Sequence, residues 1–380
     1  MKKKIKLNTN NFPAHPSLLK DPNKPDFLDN IDIDINKLAH HMFIDTYDKS
    51  PAYSINPFFL QYQQMLTDDD YFKFLPNGYG SHKESRIFLS NLLGKAMCRL
   101  FLSEYADITY FAHMDHMFDK TMTYNSSLGK IRIERCQKGD TPDYFCATAN
   151  KEPYLAEAKG RKSSISFKNK VFESWRDQFN RVQVVDSTNS NLKYALKGYI
   201  IATRYTDETK IQSSIHAEDP FTPGVKEYDY RIKISIGEEV VIHHYSDIVK
   251  ILGFPMIERA LRENLTIEDS EIEVGIWKSP YLSEIEFVGF FIPRHVDSLT
   301  YFFPPHFHRI VYYEENLHFF GVEKNIFKNI LKIAREGREH IKRVEKFRTI
   351  DDIPESIVFL RDGSISGPSD YFKFHNFELL

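Results

Sequence analysis

The chain of 380 residues carries 50 Lys and Arg against 53 Asp and Glu, a formal net charge of −3, with 42% hydrophobic and 14% aromatic residues. This length suits two domains with a sizeable core, and the aromatic share excludes a chain disordered throughout. The near-neutral balance excludes general attraction for a polyanion, so any nucleic-acid contact must rest on local clusters of Lys and Arg.

The opening stretch MKKKIKLNTNNFPAHP is basic but has no apolar run behind it, and no later stretch approaches the roughly 20 apolar residues of a membrane span. Neither a signal peptide nor a membrane association is expected. Residues 1–80 are rich in Pro, Asn and Asp and read as an arm or cap, with short helical patterns at Ile35–Phe43 and Pro57–Leu66. A long helix follows, with Ser81 as N-cap, Glu84 three positions on, and Ile87, Phe88, Leu92, Leu93, Met97 and Leu100 at helical spacing to about Ser103. Strands are expected at Ile108–Ala112, Lys130–Cys136, Asp143–Ala149 and Tyr154–Lys159, separated by Asn-Ser, Gly-Asp and Asn-Lys turn signals. A second helix is expected over roughly Lys168–Val185, then a buried strand at Gly198–Arg204.

That order describes a mixed sheet flanked by helices, an α/β sandwich, over residues 81–215. The polar, Pro-containing stretch from Asp207 to Pro223 marks the boundary to a C-terminal α/β domain, 216–380. There Tyr230–Ile236, Glu239–His244, Ile272–Trp277 and Ile285–Ile292 read as strands, Tyr245–Leu252 and Lys324–Val344 as helices, and Val358–Gly363 with Ser364-Ile365 as a terminal hairpin.

The chemistry concentrates in Gly139-Asp140-Thr141-Pro142-Asp143-Tyr144-Phe145 and Tyr154-Leu155-Ala156-Glu157-Ala158-Lys159-Gly160. Glu157 and Lys159, two apart on a strand, project from one face, and Ala158 points the other way. If Asp143 begins the preceding hairpin strand, both carboxylates converge at one sheet edge. Two hard carboxylates can hold Mg²⁺, and the adjacent ammonium can orient or help deprotonate a water, or neutralise developing phosphate charge.

TPD followed fourteen residues later by EAK resembles the signature of the PD-(D/E)xK nuclease superfamily, over roughly residues 81–205, about a third of the chain. The resemblance implies a restriction-endonuclease-like fold and a Mg²⁺-dependent endonuclease acting on DNA, with Mn²⁺ as a substitute. It also implies catalytic positions at Asp143, Glu157, Lys159 and Gln178, and metal positions at Glu84, Asp143, Glu157 and Ala158. Glu84 enters because the superfamily's preceding helix often carries an acidic ligand, although it also fits the reciprocal place in a capping box with Ser81. Gln178 enters because the following helix often carries a polar group, although it also reads as a helix surface residue. A restriction or antiviral-defence role is expected, with a partner protein and a homodimer or higher oligomer as companions. The competing reading is a catalytically silent fold of the same kind, serving as a nucleic-acid-binding or assembly module.

Arg161, Lys162, Ser163, Ser164 and Lys168 read either as phosphate contacts or as a solvated loop. Lys332–Arg348, with seven basic and three acidic residues, reads as a nucleic-acid contact or a helix laced with ion pairs. The histidines at 113, 116, 243, 244, 306 and 308 lack the HExxH spacing and are expected to be packing or surface groups. Cys98, Cys136 and Cys146 show no CxxC spacing and no cysteine-hydrolase signature, which suits a reducing, cytoplasmic setting. No GxSxG or phosphate-loop motif occurs.

Overall fold

The computed structural model describes residues 1–12, 19–21, 27–46, 65–76, 82–118, 121–123, 130–186, 193–194, 196–210, 212–221, 230–268, 271–293, 317–343 and 353–380. They form a mixed α/β structure divided into two compact units: residues 2–42 and 63–241 in one, and residue 1, 43–62 and 242–380 in the other.

The first unit contains, in chain order, β1 (Lys2–Asn10), β2 (Asn30–Asp34), the start of α1 (Ile35–Thr46), α2 (Lys83–Tyr105), β3 (Ile108–His113), the short α3 (Met114–Met117), β4 (Thr121–Thr123) and β5 (Lys130–Arg135). It continues with β6 (Tyr144–Thr148), β7 (Pro153–Arg161), α4 (Lys170–Phe179), β8 (Val182–Asp186), β9 (Lys193–Tyr194), β10 (Gly198–Arg204), β11 (Ser214–Glu218) and the first half of α5 (Tyr230–Ile251). Seven strands form a mixed sheet in the order β2-β1-β11-β10-β7-β6-β3, and β4-β5-β8-β9 form a smaller sheet. Residues 1–80, read as an arm or cap, thus contribute two strands. In β1 burial alternates, with Lys3, Ile5 and Leu7 inside and Lys2, Lys4 and Lys6 outside, the period of a half-covered strand.

Two helices cover opposite faces near β7. Helix α2 buries Leu93, Ala96, Met97, Leu100 and Phe101 at helical spacing and leaves Ile87 and Phe88 exposed. Its backbone lies almost against β7: a Cβ at Gly160 would stand 1.9 Å from the Ser90 carbonyl oxygen, and one at Gly94 2.5 Å from the Gly160 nitrogen. On the other face α4 buries Phe172, Trp175, Gln178 and Phe179, and Phe179 fills the place a side chain at Gly198 would need.

The helix expected over Lys168–Val185 ends at Phe179, and Val182–Asp186 pairs with β5 instead. The valines Val182, Val184 and Val185 favour the strand, and Val182 and Val184 alternate with Gln183 to bury one side. The strands expected at Tyr230–Ile236 and Glu239–His244 are one helix with Tyr245–Ile251. There Ile232, Ile236, Val240, Val241 and Ile248 are buried at helical spacing, and packing of that stripe outweighs the weak strand preference of β-branched residues. Ser81 and residues 57–64 lie outside the described residues, and α2 starts at Lys83 with no side-chain cap from His82.

The second unit holds the last part of α1, the second half of α5, α6 (Pro255–Glu263), β12 (Glu273–Lys278), β13 (Glu286–Pro293), β14 (Leu317–Glu323), α7 (Lys324–Glu336), β15 (Val358–Phe359), β16 (Ser364–Pro368) and β17 (Lys373–Leu379). Its sheet runs β15-β16-β14-β13-β12-β17 over a core of Trp277, Phe287, Phe319, Ile365 and Phe372. The Glu323 carboxylate accepts from the Asn325 and Ile326 amides at the start of α7, which ends at Gly337 (φ 114°) rather than continuing to Val344. The terminal hairpin is formed by β15 and β16, with Gly363 at φ 79° in its turn. Among the described residues no helix is long and apolar enough to cross a membrane.

Because Gly160 admits no Cβ, Gly160→Val is expected to lower the stability of the first unit by at least about 2 kcal/mol, read as a lower urea midpoint. A midpoint equal to that of the wild type would refute the close helix–strand contact.

Candidate active site

The hairpin of β6 and β7 creates the site by ending its ladder early. The strands pair antiparallel with Tyr144 opposite Ala156 and Cys146 opposite Tyr154, which places Pro142 opposite Ala158. On the other side of β7, Leu155 donates its amide to the Lys197 carbonyl and Arg161 accepts from the Tyr205 amide, so odd-numbered residues of β7 bond β10. The main-chain groups of Ala156 and Ala158 therefore face β6. At the position opposite Ala158 stands a proline, which has no N–H to give. That missing donor leaves the Ala158 carbonyl facing an opened edge, while the Ala158 amide donates to Asp143 Oδ2 at 3.0 Å.

Asp143 is fixed at both ends. Its carbonyl accepts from the Met114 amide at 3.0 Å, and its carboxylate takes the Ala158 amide and lies 3.8 Å from Lys159 Nζ and 3.7 Å from Lys95 Nζ. Glu157 and Lys159 project together from the α4 face of β7 and are ion-paired with each other. Beyond that ammonium, neither buried oxygen of the Glu157 carboxylate has a hydrogen-bond donor among the described residues.

The electrostatics follow from burial. Glu157 is 0% exposed; burial foremost, and then the charge of Asp143, raise its carboxyl pKa well above the ordinary 4.5, with Lys159 offsetting part of the rise. Burial alone would lower the pKa of Lys159, but the charges of Glu157 and Asp143 outweigh it and raise it. Cys98 is held neutral by burial and by the neighbouring Cys146, Asp143 and Glu157, and burial likewise raises Cys146, so neither thiol is a ready nucleophile.

The structure thus brings together Asp143, Glu157, Lys159 and the main chain of Ala158. Gln178 is buried on the helix covering the Glu157 face, and its Oε1 has no hydrogen-bond partner. Glu84 stands exposed in the first turn of α2, 11 positions and so about 16 Å along the helix from Lys95, and contacts neither carboxylate. Sequence reading missed Lys95 and the buried Arg99, whose guanidinium lies 4.8 Å and 5.8 Å from the ring centres of Phe111 and Tyr144. A Lys and an Arg four apart inside an otherwise apolar helix were the available signal.

The residues fit a divalent cation. Two carboxylates and a carbonyl converge on one edge, and the two buried oxygens of Glu157 have Lys159 as their one donor among the described residues, which leaves room for a cation. Among the described residues no group of three or more His, Cys, Asp or Glu side chains is arranged to hold a metal, and the Ala158 carbonyl is the further oxygen at this edge. The His113 and His116 rings pack edge to face, His244 Nε2 lies 2.9 Å from Asp362 Oδ2 in the second unit, and His306 and His308 lie outside the described residues. Comparison with protein families, curated proteins and solved structures finds no match to this chain.

In metal-free buffer, neutral Glu157 contributes stability that is fully present below pH 4.5 and is lost as pH rises through the raised folded-state value. Wild-type protein in EDTA is therefore expected to lose thermal stability from pH 4.5 upward more steeply than Glu157→Gln, and to recover it with Mg²⁺ or Mn²⁺ where the Gln variant does not. Parallel pH profiles and equal metal responses would defeat the assignment of Glu157.

Proposed function

We propose that the chain is a metal-dependent nuclease of restriction-endonuclease-like fold that hydrolyses DNA phosphodiester bonds. The observation that carries this reading is the opened ladder, where Pro142 offers the Ala158 carbonyl no donor and Asp143, Glu157 and two lysines gather at the gap.

In this reading the carboxylates of Asp143 and Glu157 and the carbonyl of Ala158 would hold Mg²⁺, which would supply charge neutralisation at the phosphate and a more acidic water. Lys159, its pKa raised by the two carboxylates, is an ammonium at neutral pH. It therefore acts as a donor that orients the attacking water and balances charge on the scissile phosphate, and not as the base. Lys95 places a second cation against Asp143 from the α2 side. Gln178, whose buried Oε1 on the covering helix has no hydrogen-bond partner, would align the water in this reading.

Digestion of supercoiled and linear plasmid tests the reading. Cleavage is expected with Mg²⁺ and not in EDTA, and Glu157→Gln and Lys159→Ala are each expected to lower the rate by at least about 10²-fold. Equal cleavage by wild type and Glu157→Gln, or cleavage that survives chelation, rejects it.

A further inference from the structure

On the face of the large sheet that carries Glu157 and Lys159, one row of residues crosses four adjacent strands. Arg161 on β7 is in register with Arg204 on β10, Arg204 with Ser214 on β11, and Ser214 with Lys6 on β1. Register partners project from the same face, and Arg161 is two residues beyond Lys159. The Arg161 guanidinium lies 6.0 Å from the ring centre of Trp175 on α4, which fixes the face independently.

We propose that Arg161, Arg204 and Lys6 form a track that binds the phosphodiester backbone of a nucleic-acid strand and leads it to Lys159 and the Asp143–Glu157 pair. The assignment of nucleic acid rests on the nuclease reading; the presence of an anion track rests on the row itself.

The row differs from its surroundings in how its charges are met. Nearby cations are paired: Arg176 with Glu218, Lys162 with Asp207 and Lys197 with Asp219. Along β1, Lys2 and Lys4 stand opposite Asp34 and Asp32, whereas Lys6 stands opposite Asn30. Among the described residues neither Lys6 nor Arg204 has a carboxylate partner, Arg204 Nε is buried with no acceptor, and Arg161 is bonded only to the neutral Ser163 hydroxyl at 2.5 Å. His216, one row back and in register with Ala202, registers the resulting field: burial, then the charges of Arg204 and Lys6, hold its pKa down to about 4.

Shape selects the ligand. Three strand spacings of about 4.8 Å make the row about 14 Å long, too long for a single small anion to touch both ends. A strand that repeats a phosphate every 3.4 Å of rise spans that length in about four nucleotides, and cations spaced along a neutral line suit such a repeat.

The test is fluorescence anisotropy with labelled single- and double-stranded oligonucleotides, using full-length Glu157→Gln so that nothing is cut. Adding Lys6→Ala and Arg204→Ala is expected to weaken binding at least about 10-fold at 0.1 M salt and to shallow the slope of log K against log salt by about 1.4 to 1.8, two phosphates at about 0.7 to 0.9 each. Lys2→Ala with Lys4→Ala is expected to change the slope by less than half of that. Unchanged affinity and slope in a variant with an unchanged thermal midpoint overturns the track. So does failure of the Glu157→Gln protein to bind any oligonucleotide, or displacement of the oligonucleotide by polyglutamate as readily as by unlabelled DNA. If the double variant does not fold, Lys6→Gln and Arg204→Lys are read singly: Lys6→Gln must lose about half of the slope change and Arg204→Lys must keep the slope. Oligonucleotide binding that requires Lys6 and Arg204, with no cleavage by wild type, keeps the track and removes only the catalytic reading. Cleavage at limiting DNA that ignores both substitutions does the reverse.

Discussion

A β-ladder that stops one pair too soon shapes the candidate site of this molecule. A proline opposite Ala158 has no N–H for the Ala158 carbonyl, and the Ala158 amide donates to the side chain of the next residue, Asp143. One dipeptide thereby ends a strand, frees a carbonyl and fixes the direction of a carboxylate. The strand opposite continues for several residues past that point, and it presents Glu157 and Lys159 just where its partner has withdrawn.

Burying Glu157 beside a second carboxylate is costly without compensation, since a charge taken out of water needs a partner of opposite sign. Lys159 and Lys95 supply two positive charges against two negative ones, yet beyond Lys159 the buried oxygens of Glu157 have no donor among the described residues. An arrangement built only for stability would satisfy those oxygens or replace them with apolar groups. In the proposed reading a bound cation would supply the missing partner.

Much of this was legible in the sequence. The strand Gly198–Arg204 and the hairpin that carries Asp143 and Glu157 follow from alternation, turn residues and apolar runs. Residues 230–251 were misread because Ile and Val are common to strands and to buried helices, and only the spacing of Ile232, Ile236 and Val240 separates the two. The place of β1 beside β11 was hidden, since a parallel partner more than 200 residues away leaves no local trace. At the site, spacing gave Asp143, Glu157 and Lys159, whereas Lys95 depends on how closely a helix approaches a strand, which no short motif encodes. The distance of Glu84 from the carboxylates has the same cause: a residue's place on a helix says nothing of which turn meets the sheet.

The contact between Gly94 and Gly160 has a meaning beyond packing. With no side chain on either residue, the separation of α2 from β7 is set by backbone atoms alone, which are the least adjustable parts of a protein. Lys95, next to one of these glycines, is thereby held at a fixed reach from Asp143. The two missing methyl groups act as a spacing gauge, and widening it by one carbon would detune the electrostatics of the centre while leaving every ionisable group in the chain untouched.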